Sequence, residues 1–271
     1  MKFTKMQGLG NDYIYMYLLS PPENIKDLSI KLSDRHFGIG SDGIVLILPS
    51  DKADFKMRIF NADGSEALMC GNGIRCVGKY VYDKGYTNKK TLFIETLSGI
   101  KKLKLSTTDN SVSFVTVDMG KALAGDKKEI NILGKNIEYV PVSVGNPHAV
   151  VFCRDAEHAP FENVGSEMEK HSNFKDGVNV EFAEVCSKTK IRIRVWERGS
   201  GVTLACGTGA CAVVSAAVKE GFCPAEKEIE AVLDGGSLFI SVAGDKSVIM
   251  RGPAETVFEG DVCIGRNQQE L

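Results

Sequence analysis

Apolar and polar positions alternate in short runs along most of this chain, and two stretches switch to helical spacing. Phe55, Met57 and Ile59 alternate with polar or charged neighbours, and Ile191, Ile193 and Val195 do the same later. Each run predicts a strand with one buried face. In both places a Gly/Ser-rich turn and a short apolar lead follow, and then the period changes. Ile74, Val77 and Val81 mark one face of a first helix, with Gly85 placed as its C′ residue. The second helix, ACAVVSAAVKEG, is apolar nearly all round and closes at Gly221. A helix without a polar face predicts enclosure by sheet. Further short strands are expected at Leu92–Thr96, Val112–Val117, Lys190–Trp196 and Leu238–Val242.

The two helical stretches belong to an internal repeat. Residues 55–86 lie over 191–222 at a constant offset of 136 without a gap. Arg58 meets Arg194, Leu68 meets Leu204, and Cys70 meets Cys206. Gly71, Gly73, Val77 and Gly85 meet Gly207, Gly209, Val213 and Gly221, and Leu97 and Gly99 meet Leu233 and Gly235. One residue out of step, Gly10-Asn11 matches Gly145-Asn146. Only two copies are present, so the pattern describes a duplicated domain rather than a solenoid. The expectation is an α/β (α+β) protein of two pseudo-symmetric halves, each a curved, mostly antiparallel sheet rolled around a central helix, with a cleft between them. The first half is expected over 1–117, with 262–271 returning to it, and the second over 118–261. The boundary falls in the polar, Gly-containing segment Asp118–Lys128.

Composition narrows the function. The chain has 271 residues, 43% hydrophobic and 25% charged, with a net charge of −2. That balance gives no reason to expect a nucleic-acid or membrane partner. The opening residues lack the apolar stretch of a signal peptide and no later run approaches a membrane span, so a cytoplasmic location is expected. Eight cysteines then face a reducing compartment, where structural disulfides are rare. None forms a C-x-x-C pair, so the common zinc spacing is missing and no metal is expected.

Two cysteines stand out. CGNG and CGTG place Cys70 and Cys206 immediately before the two helices. Helix starts carry free N–H groups and about half a positive charge, which can lower a thiol pKa and can hold an anion such as a carboxylate. Two equivalent starts facing one cleft would put a sulfur on each side of a bound Cα. A thiolate on one face and a thiol on the other form an acid/base pair suited to inverting a stereocentre. Cys76 and Cys211 align with Ala212 and Arg75, outside the repeat, and read as core or helix-face residues.

The stretches Asn61-Ala62-Asp63-Gly64-Ser65 and Cys70-Gly71-Asn72-Gly73-Ile74-Arg75 resemble the diaminopimelate epimerase family. KMQGLGNDYI, VGNPHAVV and ERGSGVTLACGTGACA resemble its other blocks, so the resemblance runs from Met6 to Phe258. It implies an isomerase without a cofactor that interconverts LL- and meso-diaminopimelate in lysine and peptidoglycan precursor synthesis, acting as a homodimer. It implies Cys70 and Cys206 as the acid/base thiols, and Gly71-Asn72 and Gly207-Thr208 as the carboxylate cradle. Asn11, Asn61, Asn146, Asn179 and Arg198 would grip the distant end of the substrate, while His148 and Glu197 would sit beside the reacting carbon. In the GIG-x-D-x block this chain has Gly43 where some family members have Gln; Asp42 is left unassigned.

Other readings stay open on the residues alone. A proline or hydroxyproline racemase would share the duplication and paired thiols without needing the polar grip of Asn61, Asn179 and Arg198. A phenazine-type isomerase would lack the cysteine pair. A thiol redox or metal-binding protein and a non-catalytic amino-acid binder complete the field.

Overall fold

The computed structural model of the chain describes residues 1–263. The part of the expected C-terminal return that involves 264–271 lies outside the described residues. Among the described residues each half contains two helices: α1 (Ile25–Ser33) and α2 (Gly71–Asp83) in the first, α3 (Phe161–Glu169) and α4 (Gly207–Lys219) in the second.

In the first half the strands Lys2–Gly8, Asn11–Tyr17, Gly43–Leu48, Phe55–Asn61, Thr91–Thr96, Gly99–Thr108 and Ser111–Lys121 are bonded each to the next. The second half repeats that order with Lys135–Ser143, Pro147–Cys153, Asn179–Ser187, Lys190–Glu197, Ile229–Leu233, Gly236–Val242 and Ser247–Gly252. The parallel pairs fall at matching places. One is bridged by α1 or α3 and the other by α2 or α4. Ser111–Lys121 runs antiparallel to Ser247–Gly252 and joins the halves into one ladder. Glu255–Asp261 then returns to pair with Lys2–Gly8, as Leu123–Ala124 pairs with Lys135–Ser143. Asp118–Lys121 therefore continues a strand instead of forming a loop.

The curved sheet closes around α2 and α4, as the apolar pattern requires. Ile74, Val77 and Val81 share one core with Val213, Val214 and Ala217 of α4. Burial of each such side chain stabilises by about 1.5–3 kcal/mol. α1 and α3 cover the outer side of the sheet over separate smaller cores. This explains why Gly43–Leu48 is buried throughout: Val45 and Ile47 face α2, and Ile44, Leu46 and Leu48 face α1. The short outer helices were not expected. Each has only nine residues and no side-chain N-cap bond, so no start signal marks them. α2 and α4 end as expected, with Gly85 at φ +74° and Gly221 at φ +75°.

Candidate active site

Both cysteines are N-cap residues. Cys70 (φ −135°, ψ 120°) and Cys206 (φ −116°, ψ 113°) are extended, and each sulfur accepts a hydrogen bond from the backbone N–H three residues on. Gly73 N lies 3.2 Å from Cys70 Sγ, and Gly209 N lies 3.3 Å from Cys206 Sγ. Sulfur thus fills the place that a Ser or Asp oxygen usually takes.

The two helix starts meet head to head. A β-carbon built on Gly71 would lie 3.6 Å from Gly207 Cα, and one on Gly207 would lie 3.5 Å from Gly71 Cα. Glycine permits this approach, with Met119 and Met250 of the joining strands beneath. Asn72 Nδ2 donates to Ala205 O at 3.0 Å, tying α2 to the lead of α4. Two positive dipole ends facing each other are unfavourable unless an anion lies between them, each contact with such an anion contributing about 0.3–1 kcal/mol or more when buried.

Burial reverses the expected effect of the helix starts on the thiols. Burial pushes both thiols up, Cys206 well above its ordinary value. The Gly73 and Gly209 N–H groups oppose this, and the charge of Glu197 adds to it at both sulfurs. Glu181 adds a further rise at Cys206. The helix field of about half a charge does not outweigh desolvation in a closed site. Glu197 is itself pushed up by burial, opposed by hydrogen bonds from Thr203 and Cys206; Thr203 Oγ1 donates to its Oε1 at 2.6 Å.

The other expected residues separate into groups. Asn11 is beside Cys70, the sulfur donating to its Oδ1 at 3.3 Å, while its Nδ2 donates to Asp42 Oδ2 at 2.8 Å. Asp42 thus has a task that its sequence context did not disclose: it orients Asn11. Near Cys206, Asn146 Nδ2 donates to Thr208 Oγ1 at 3.3 Å, and Thr208 Oγ1 lies 3.5 Å from the sulfur. His148 is buried, with Nε2 3.0 Å from Asn146 Oδ1 and Nδ1 2.6 Å from Glu181 Oε1. Asn179 Nδ2 donates to Pro147 O, and its Oδ1 accepts from Arg198 N. The exposed Arg198 guanidinium donates to Asp176 O. Asn61 bonds within its own turn, to Ser65. Gly43 is opposite Asn61 at φ 154°, where a side chain would run into Phe60 O.

Three more residues went unread in the sequence. Glu181 is a fully buried acid, but in Val178–Ala183 it alternates with Asn179 as on the polar face of a strand, so the pattern does not disclose its burial. Thr203 gave no signal. Arg75 closes the CGNGIR motif, whose pattern does not disclose its task. It is fully buried and donates to Gly71 O, Asn72 Oδ1 and Pro253 O. Among the described residues no cluster of His, Cys, Asp or Glu is arranged to hold a metal, and no helix is long and apolar enough to cross a membrane.

Comparison with known proteins matches this arrangement to one family. The model described as "Diaminopimelate epimerase" covers residues 3–124 and 140–257. The chain belongs to the diaminopimelate epimerase family. It is 50% identical to the diaminopimelate epimerase of Acetivibrio thermocellus, covering 97% of this chain and 99% of that protein. It is 49% identical to that of Bacteroides thetaiotaomicron, covering 97% and 98%. Diaminopimelate epimerases are isomerases, and so is this enzyme. Its fold resembles a probable proline racemase from Agrobacterium radiobacter, TM-score 0.75 at 16% identity over 97% of this chain and 93% of that one. It also resembles a phenazine biosynthesis protein of the PhzF family from Bacillus anthracis, TM-score 0.76 at 17% identity over 97% and 99%. Those two likenesses show the fold. The two-domain mixed α/β architecture is the one anticipated from the repeat.

Proposed function

We propose that this enzyme interconverts LL- and meso-diaminopimelate by moving the Cα proton between Cys70 and Cys206. The observation that carries the reading is the meeting of two duplicated helix starts, each capped by a cysteine. In one direction a thiolate removes the proton from one face of Cα and becomes a thiol, while the opposite thiol gives its proton to the other face and becomes a thiolate. In the reverse direction the roles exchange, and the pair titrates as a unit.

The N–H groups of Gly71, Asn72, Gly207 and Thr208 would hold the α-carboxylate, and it would supply the anion that the facing dipoles need. As negative charge spreads toward the carboxylate in the transition state, each preorganised donor contributes about 3 kcal/mol. Asn11, Asn61, Asn146, Asn179 and Arg198 would bind the distant amino and carboxylate groups, with Arg198 turning inward from its exposed position. His148 and Glu197 would orient and tune the reacting centre. Because burial disfavours thiolate, the substrate's own ammonium group, entering beside the sulfurs, would favour the ionised partner.

Residues 1–117 and 118–261 would serve as the two catalytic halves of a cytoplasmic homodimer supplying lysine and peptidoglycan precursors, a role that family membership supports. The test is exchange in deuterated water, with a chelator present and no pyridoxal phosphate. LL-diaminopimelate should gain deuterium at one Cα while equilibrating with the meso form. Tight binding without exchange would overturn the reading.

A further inference from the structure

Glu181 is the acid that the scheme above leaves idle. Its strand, Asn179–Ser187, puts it on the same side as Ala183, facing the core around α4. It has no exposed surface, and among the described residues its Oε2 has no hydrogen-bond partner. A buried carboxylate with an unmatched oxygen costs stability, and the repeat shows an apolar residue suffices for packing: the position 136 residues earlier is Val45. Retention of an acid here calls for a task.

Its surroundings supply one. Glu181 Oε1 lies 2.6 Å from His148 Nδ1, His148 Nε2 lies 3.0 Å from Asn146 Oδ1, and Asn146 Nδ2 donates to Thr208 Oγ1 at 3.3 Å. Thr208 Oγ1 lies 3.5 Å from Cys206 Sγ. The chain runs from a buried acid to a single one of the two sulfurs. A carboxylate can only accept, so this contact calls for a proton on Nδ1, while Asn146 Oδ1, whose amide nitrogen is turned to Thr208, calls for one on Nε2 as well. The charged or titratable groups around Glu181 are His148 on the parallel neighbouring strand, Glu197 on the antiparallel one and Cys206 at the start of α4.

We propose that Glu181 is a positioning residue for the epimerisation, fixing the tautomer and ring orientation of His148 and, through Asn146 and Thr208, the placement of Cys206. This rests on the reaction proposed above. Glu181 touches no reacting atom; it acts through the imidazole.

The experiment combines nitrogen-15 NMR of ring-labelled protein with kinetics in both directions. The resonance of His148 is assigned by its loss in His148→Gln. In the wild-type protein Nδ1 should carry a proton. In Glu181→Gln the amide can donate to Nδ1, so Nδ1 should lose its proton and Nε2, facing Asn146 Oδ1, should be the protonated nitrogen. kcat should fall by at least about tenfold in both directions, with KM changed by less than about threefold, as expected for lost orientation rather than lost binding. Glu181→Asp, which keeps the acceptor, should retain the wild-type tautomer and recover part of kcat. A wild-type ring protonated on Nε2 with a bare Nδ1 would overturn the proposal, as would Glu181→Gln with unchanged tautomer and kcat. If Glu181→Gln does not fold, the wild-type and Glu181→Asp spectra decide. A wild-type protein that binds diaminopimelate without epimerising it would refute the reaction alone, because the tautomer measurement stands independently.

Discussion

The two helix starts have the same backbone and different company. At Cys70 the sulfur's hydrogen-bond neighbours are neutral, Gly73 N–H and Asn11. At Cys206 the N–H of Gly209 and the hydroxyl of Thr208 are joined by the carboxylate of Glu181 acting through space, added to that of Glu197, which raises both sulfurs, while the charge of Arg75 lowers Cys70. The differences fall at matched positions: Tyr13 against His148, Val45 against Glu181, Gly43 against Asn179, Asn61 against Glu197 and Arg75 against Cys211. Duplication preserved what both thiols need, a capped helix start with room for close approach. It released the companions, so the two sulfurs sit in unequal fields. The proposed symmetric proton transfer across an asymmetric substrate calls for that combination.

The largest effects should come from removing either sulfur. Cys70→Ala and Cys206→Ala should each lower epimerisation by at least about a thousandfold, while Cys153→Ala should stay near normal in the same assay. Equal losses at all three positions would point to stability instead of chemistry.

Arg75 and Cys211 provide the next contrast, since matched positions carry very different loads. Arg75→Ala would leave Pro253 O and Asn72 Oδ1 without this donor and open a cavity between the halves. A loss of about 1–3 kcal/mol is expected by chemical denaturation, the acceptors losing a donor while a buried cation with an unpartnered Nη2 is removed. Cys211→Ala, in the apolar core, should cost about 1 kcal/mol. A small loss for Arg75→Ala would remove its role as a tie between the halves.

A finer comparison uses the third residue of each helix. A β-carbon on Gly209 would come 2.7 Å from Glu181 Oε1, whereas one on Gly73 meets nothing closer than 3.4 Å. Gly209→Ala should therefore cost about 1–3 kcal/mol and disturb activity. Gly73→Ala should be neutral or stabilising by about 0.5 kcal/mol in a thermal melt. Equal effects would mean that the buried acid has room to move.

The smallest effect concerns resting reactivity. Burial raises both thiols, so without ligand Cys70 and Cys206 should alkylate more slowly at pH 7 than the exposed Cys186, and their rates should climb with pH. The sign follows from the thiolate being the reactive form: raising a thiol's pKa lowers its thiolate fraction at neutral pH. Cys206, pushed further, should lag Cys70. Mass-spectrometric mapping of alkylated peptides checks the order.

Much of this was legible in order along the chain. The apolar spacing of Ile74, Val77 and Val81, the nearly all-round apolar surface of Ala210–Val218 and the closing glycines specify two core helices because such patterns are local. The offset of 136 specifies the duplication, and CGNG and CGTG specify a cysteine at each helix start. The short helices α1 and α3 escaped notice because their ends carry no side-chain caps and their stability comes from the sheet beneath.

Charge environment, by contrast, belongs to the folded arrangement. Reading the helix start alone predicted thiols with lowered pKa. In the fold, desolvation and the carboxylates of Glu197 and Glu181 outweigh the N–H groups. Glu181 lies 33 residues from His148 along the chain and is held against it by the pairing of parallel strands. The sequence by itself determined the elements, their repetition and the chemical types at each helix start, since these depend on neighbours a few residues apart. Only the tertiary structure decided that the two starts face each other and which acid stands behind which sulfur, because desolvation and Coulomb interactions depend on distance through space.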